Sequence, residues 1–161
     1  MFWSYGGGEV DGESNDYDGS KLARQGHTVV VTFNYRMNLM GWLAHPALDH
    51  EGHLFANYGT LDNQFALKWV QRNIEKFGGN PDNVTVFGQS AGARNSATEV
   101  LSPLARGLFQ HAIFESGAIP IETPLSIAET KGMKFRRRGR LRLRRDAGGH
   151  RMFAQSDRRP G

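Results

Sequence analysis

Val84-Thr85-Val86-Phe87 running into Gly88-Gln89-Ser90-Ala91-Gly92 restricts this chain more than any other segment. A short β-branched run leads into the pattern G-x-S-x-G, and a stretch able to start a helix follows. The five letters are common in a Gly-rich chain. The strand before and the helix after give them meaning. Such a turn reverses the chain so tightly that a Cβ on either flank clashes, which accounts for Gly88 and Gly92. It lifts the Ser90 hydroxyl above the sheet. The helix that follows aims its N-terminus at the same place, where free N–H groups and the positive dipole end favour developing negative charge.

The rest of the chain alternates in the same way. Phe2–Ser4 reads as a strand. Ser20–Gln25 reads as a short helix, capped by Asp18 or Ser20 and ended by Gly26. Thr28–Tyr35 is a nearly unbroken apolar, β-branched run, as expected of a strand buried on both faces. Leu39–His50 reads as irregular. Leu61–Phe77 is the strongest helix signal, with Leu61, Phe65 and Trp69, then Ala66, Val70 and Ile74, at i, i+4 spacing. Gly78-Gly79-Asn80-Pro81 stops it. Val84–Phe87 is the next strand, Ala91–Val100 the next helix and Ala112–Phe114 another strand. Strand-helix alternation predicts an α/β fold with a largely parallel sheet and crossover helices. Ser90 then stands at the carboxyl end of a strand, where open α/β sheets bind ligands. No internal repeat is visible.

Tyr5-Gly6-Gly7-Gly8 supplies a partner for the serine. Consecutive glycines bring backbone N–H groups close to a ligand with no side chain in the way. Ester cleavage needs such donors, aimed where the oxyanion forms. Alone, the three glycines are a flexible turn. Upstream of the Ser90 elbow, as strand then Gly loop, they read as an oxyanion loop.

Here the residues resemble a family. Trp3 to Gly8, then Tyr17-Asp18-Gly19-Ser20-Lys21-Leu22-Ala23 and Val29 to Arg36, are similar to the oxyanion-loop region of type-B carboxylesterases. Asn57 to Gln64 and Trp69 to Ile74 resemble that family's long helix. Phe77 to Thr85 leads into the elbow as it does there, and Ser102 to Phe109 and Glu115-Ser116-Gly117 follow it. The resemblance runs from about Trp3 to about Phe135, in order and with family-like spacing. It implies an α/β-hydrolase-like fold, incomplete at both ends, and hydrolysis of a small-molecule carboxylic ester without metal or organic cofactor. Ser90 takes the role of nucleophile. Gly7, Gly8 and Ala91 take that of the oxyanion hole, and Gly88, Gln89 and Gly92 shape the elbow. Tyr5 stands where many members carry His. Ala93-Arg94-Asn95 stands where another Gly is usual, with Arg94 expected on the solvent side. Ser116 is expected as a hydroxyl just behind the site.

The family orders its triad Ser, acid, His, with the last two far beyond the elbow. None of His27, His45, His50, His53, His111 and His150 is placed by a motif to reach Ser90, and Glu99 and Glu115 read as structural or solvated. His50 and His53 flanking Glu51-Gly52 make a weak metal pattern. Residues 1–135 thus look like an internal piece of a larger enzyme, expected inactive alone. The alternatives are a non-catalytic binding module on the same fold and a truncated, non-functional product.

Residues 136–161 differ in character. They hold ten Arg against two Asp, a net +8, whereas residues 1–135 carry ten Lys and Arg against fourteen Asp and Glu, a net −4. Arg with Gly, Ala and Asp but no Lys is what GC-rich DNA gives when read out of frame, and a disordered or frameshifted tail is expected. A basic arm for nucleic acid is the alternative, though Phe153 alone makes a poor stacking platform. The chain has no Cys, which removes disulfides and thiolate metal sites. No signal peptide and no membrane-spanning run is visible, and compartment and oligomeric state stay open.

Overall fold

The structure is a computed structural model that describes residues 1–49, 56–117, 123–139, 141–145 and 152–156. Its elements fall into two units, one of Met1–Gly41 with Tyr58–Ile121, the other of Trp42–Asn57 with Glu122–Gly161.

The first unit is built on a four-stranded parallel sheet. Its strands are β1 (Phe2–Ser4), β2 (Val31–Thr32), β3 (Thr85–Gln89) and β4 (His111–Glu115), in the order β2-β1-β3-β4. The connections are helical: α1 (Ser20–Gly26) between β1 and β2, α3 (Tyr58–Asn73) before β3, and α4 (Ala91–Leu101) between β3 and β4. A short helix, α2 (Asn38–Trp42), follows β2. Parallel neighbours need such crossovers, because a tight hairpin cannot return the chain to the same end.

Register explains the two faces. Phe2 pairs with Val86 and Trp3 with Phe87. Successive side chains on a strand point to opposite faces. Phe2 and Val86 therefore meet Leu67, Val70 and Ile74 of the α3 segment in the buried core, with Val84 beside them. Trp3 and Phe87 meet on the other face, ring centroids 4.7 Å apart, with Tyr17 at 5.2 Å from Trp3. Burying a side chain such as Leu67, which is fully enclosed, stabilises by about 1.5–3 kcal/mol. Ser4 continues the α3-facing row, and its hydroxyl donates to Asn63 Oδ1 at 2.7 Å.

The expected elements appear, with differences. The run 28–35 forms a ladder only at Val31–Thr32. Its neighbour β1 is only three residues long, and the ladder pairs two of them. Phe33 and Tyr35 are held by ring stacking instead, on Phe2 and Tyr5, each at 4.6 Å. The helix expected over 61–77 begins at Tyr58 and tightens into a 3-10 turn at Ile74–Phe77, ended by Gly78 at φ 80°. Its buried face is the predicted one only in part: Val70 and Ile74 lie in the core, with Ala66 against it. Phe65 and Trp69 are exposed, and Asn63, Gln64 and Leu67 are buried, because these are the positions that meet Ser4, Ser102 and the sheet core. The left-handed residue that ends α1 is His27 at φ 47°, one past the expected Gly26. Asp18 accepts from the Ser20 amide at 2.9 Å and its hydroxyl at 3.0 Å at that helix's start. The segment read as irregular from Leu39 holds most of α2, whose Gly41 packs directly on the Arg36 carbonyl.

The second unit carries helix α5 (Leu125–Gly139) and an antiparallel pair, β5 (Leu141–Arg145) with β6 (Met152–Ser156), Leu143 opposite Ala154. Gly132 of α5 sits on the Ala44 carbonyl, leaving no room for a Cβ. Both strands lie in the Arg-rich segment. No helix among the described residues is long and apolar enough to cross a membrane.

Glu99, on α4, was read from the sequence as structural or solvated and is 2% exposed. Burial pushes its carboxyl from 4.5 up to about 8, with the Gln64 amide opposing. Between those two values the unfolded chain gives up a proton that the folded chain keeps, so stability falls as pH rises through that window. The slope is about 1.4 kcal/mol per pH unit for one group. Glu99→Gln removes this loss. The variant is expected to be more stable than the parent by about 3 kcal/mol at pH 7 and equal to it near pH 4.5, read from urea midpoints across pH. A parallel pH dependence in the two proteins would show that Glu99 is ionised when folded.

Candidate active site

Ser90 joins β3 to α4 with φ 55° and ψ −119°, a conformation that costs an L-residue roughly 1–3 kcal/mol. The neighbours hold it there. Its amide donates to the Glu115 carbonyl at 2.8 Å, and its carbonyl accepts from the Arg94 amide at 3.2 Å. A Cβ on Gly88 would stand 2.6 Å from the Ser4 carbonyl oxygen. One on Gly92 would overlap that oxygen outright and stand 2.6 Å from the Tyr5 carbonyl. The elbow glycines are thus required by the close passage of β1, not only by the turn. Ala93 is buried and faces Gly117, so the methyl in place of the usual glycine is accommodated by a second small residue.

The Gly loop runs beside the serine. A Cβ on Gly6 would lie 3.2 Å from Ser90 Cβ, 2.9 Å from the Gln89 carbonyl and 3.1 Å from Gln89 Oε1. Gly7 and Gly8 are exposed, at φ 103° and 65°. The Gly7 carbonyl accepts from Val10 and Asp11, both at 3.1 Å, which closes the loop. The N–H groups of Gly7 and Gly8 find no acceptor among the described residues. Ala91 is the first residue of α4, so its N–H is one of the donors that a helix leaves unused at its start. Gly6 thus lies directly against Ser90, Gly7 and Gly8 follow it in the loop, and Ala91 opens α4.

The segment after β2 supports this loop, which the sequence reading missed. The Tyr35 hydroxyl donates to the Tyr5 carbonyl at 2.7 Å. Asn34 Oδ1 accepts from the Ser14 amide at 2.8 Å. Asn38 donates from its amide to the Glu9 carbonyl at 2.7 Å and from its side chain to the Val10 carbonyl at 2.9 Å. Arg36 in turn pairs with Asp62 of α3, Nη2 to Oδ1 at 2.8 Å, and lies 4.9 Å from the centre of the Tyr58 ring. The motif around Asn34-Tyr35-Arg36 was visible but reads as strand. Arg94 is exposed, as expected, and reaches Glu9 at 3.8 Å across the loop. Burial raises the Glu9 carboxyl, and Arg94 opposes that shift.

The histidines of this unit lie at the wrong end of the sheet. His111 pairs with Thr85, five residues before Ser90 along β3, and a strand advances about 3.3 Å per residue, roughly 16 Å in all. His27 lines a cleft of about 400 Å³ with Met1, Phe2 and Val84, at the amino ends of the strands. Ser116, at φ 52°, directly follows the residue whose carbonyl binds the Ser90 amide, so it stands beside the site. His50 and His53 lie outside the described residues. Among the described residues no group of three His, Cys, Asp or Glu is arranged to hold a metal ion.

A strained serine between strand and helix, with a Gly loop beside it on a parallel sheet, marks the α/β-hydrolase class. Within that class the chain belongs to the carboxylesterase family, whose model matches residues 1–139. It is 46% identical to the fumonisin B1 esterase of Sphingopyxis macrogoltabida over 162 residues, 97% of this chain and 30% of that protein. It is 49% identical to the para-nitrobenzyl esterase of Bacillus subtilis over 81% of this chain and 27% of that protein. A thermophilic para-nitrobenzyl esterase structure superposes with a TM-score of 0.78 at 46% identity, covering 85% of this chain and 28% of that one. A carboxylesterase of Geobacillus stearothermophilus gives 0.79 at 38% identity, with 88% and 30% covered. The chain thus spans less than a third of the length of these relatives.

Proposed function

We propose that Ser90 is the nucleophile of a carboxylic ester hydrolase that works through an acyl-enzyme. The observation that carries this is the Ser90 backbone, held at φ 55° beside Gly6 at the carboxyl end of β3. Strain of that kind persists only where the surroundings impose it, and it points the hydroxyl away from the sheet. Ser90 Oγ attacks the ester carbonyl carbon. The carbonyl oxygen takes up the charge and is held by the N–H groups of Gly7, Gly8 and Ala91. A histidine oriented by an acid takes the Ser90 proton and passes it to the departing alcohol; water then releases the acid by the same route in reverse. As the family resemblance implies, that pair belongs to the length of the relatives that this chain does not span. The substrate is a small-molecule ester.

A fluorophosphonate tests the nucleophile directly. The reagent loses fluoride to an activated serine and leaves a phosphonyl ester on its oxygen. With the whole protein, peptide mass spectrometry is expected to place a single phosphonyl group on Ser90, and Ser90→Ala is expected to take up none. Labelling at another serine, retained in Ser90→Ala, would assign the nucleophile elsewhere.

A further inference from the structure

Glycine has no side chain and little backbone preference, so a Gly loop takes its shape from whatever fixes its two ends. Here one segment fixes both. Upstream of Gly6, the Tyr5 carbonyl accepts the Tyr35 hydroxyl at 2.7 Å, with both residues buried. Downstream of Gly8, the Glu9 and Val10 carbonyls are held by Asn38. The Tyr5 ring also stacks on the Tyr35 ring, 4.6 Å away and 25° from parallel. Burial raises the Tyr35 phenol, and the side chain of Asn95, 3% exposed on α4 and five residues after the serine, opposes that shift. The phenol oxygen itself is tied to the strand that enters the Gly loop.

We propose that Tyr35 is a positioning residue for the oxyanion hole: its hydroxyl, bonded to the Tyr5 carbonyl, sets the Tyr5–Gly6 peptide plane and so aims the Gly7 and Gly8 N–H groups at the site that the Ala91 N–H also faces. The Tyr5 carbonyl carbon and the Gly6 nitrogen share one rigid plane, so holding the oxygen fixes the direction in which Gly6 leaves. Gly6 leaves against Gln89 and Ser90, where there is no slack, and any rotation of the plane is passed on to Gly7. The tie spans 30 residues of chain and is closed to solvent, so water cannot replace the phenol if it is removed. A displacement of about 1 Å at such donors can cost on the order of 100-fold in rate. Tyr35 itself touches no reacting atom.

The proposal rests on the esterase reading, and the experiment separates the two. Tyr35→Phe, Asn95→Ala and Ser90→Ala are made in the whole protein and assayed with a para-nitrophenyl ester. A trifluoromethyl ketone, whose hydrate-like adduct with serine carries the oxyanion, serves as the transition-state probe. Tyr35→Phe keeps the ring stack and removes only the oxygen. It is expected to lower kcat 10- to 100-fold with KM within threefold, and to weaken the ketone by the same factor as kcat/KM. Asn95→Ala is expected to move both quantities in the same direction by three- to tenfold. A variant that lost stability alone would lose active enzyme but leave the ketone affinity of the folded fraction unchanged. Parental kcat and ketone affinity in Tyr35→Phe overturn the proposal when Ser90→Ala is inactive. Should Tyr35→Phe not fold, Asn95→Ala decides by the same two readouts. Full turnover by Ser90→Ala overturns the esterase reading itself.

Discussion

Ser90→Ala is expected to reduce kcat/KM for a para-nitrophenyl ester by about 10⁵-fold in the whole protein, with the melting temperature unchanged within 2 °C or so. Removing the oxygen removes the covalent route. Tenfold in rate corresponds to about 1.4 kcal/mol, so the loss is roughly 7 kcal/mol of transition-state stabilisation. The fall is not complete, because backbone donors and substrate binding still favour attack by water over the reaction in bulk solvent. Stability is unaffected for a structural reason: the contacts that hold Ser90 at φ 55° are its amide to Glu115 and its carbonyl to Arg94, and both survive the substitution. A variant with parental turnover would remove Ser90 from the chemistry. A variant that is inactive but unfolded would instead show that the hydroxyl supports the elbow.

Gly92→Ala is expected to be the most damaging of the elbow substitutions to folding. The new methyl overlaps the Ser4 carbonyl and meets the Tyr5 carbonyl at 2.6 Å. Neither is a side chain that can turn aside. Overpacking of a core by one group costs typically 1–3 kcal/mol when side chains can move, and more when backbone must. Here the strand that must move, β1, lies between β2 and β3 in the sheet. A loss above about 3 kcal/mol, or failure to accumulate as soluble protein, is expected. Gly107→Ala separates sterics from backbone preference. Gly107 has φ 80° and nothing within 4 Å of an added Cβ, so its substitution should cost only about 1 kcal/mol. Urea midpoints of the two variants compare the effects. Equal losses would mean that the close approach of β1 to Gly92 is relieved at little cost.

The elbow was legible in the sequence because its requirements are those of glycine. Gly88 and Gly92 are needed by contacts that any residue with a Cβ would violate, and such positions mark themselves. The order of strands and helices was legible from apolar runs and their punctuation by Gly78-Gly79. The face of α3 was legible only in part, at Val70 and Ile74. Asn63 and Gln64 are buried because Ser4 and Ser102 offer them partners, and a hydrophobicity pattern cannot see a partner 59 or 38 residues away. The same limit hid Tyr35 and Asn38, which look like the end of a strand and the start of a loop. Their importance lies in carbonyls of residues 5, 9 and 10. Glu99 was hidden for a related reason. A carboxyl on a helix beside exposed Val100 and Leu101 reads as solvent-facing until the position of α3 is known.

The placement of β1 also dictates when the site can come into being as the chain is made. β1 is synthesised before β2, β3 and β4 yet ends between β2 and β3 in the sheet. Ser4 must wait for Asn63, 59 residues later, and Ser90 cannot be locked until the Glu115 carbonyl arrives. Closing a loop of such length costs entropy before any contact repays it, and folds dominated by distant contacts form slowly. A nascent chain that has passed the elbow but not β4 therefore carries a relaxed Ser90, and Ser90 takes up its strained geometry only once β4 has joined the sheet.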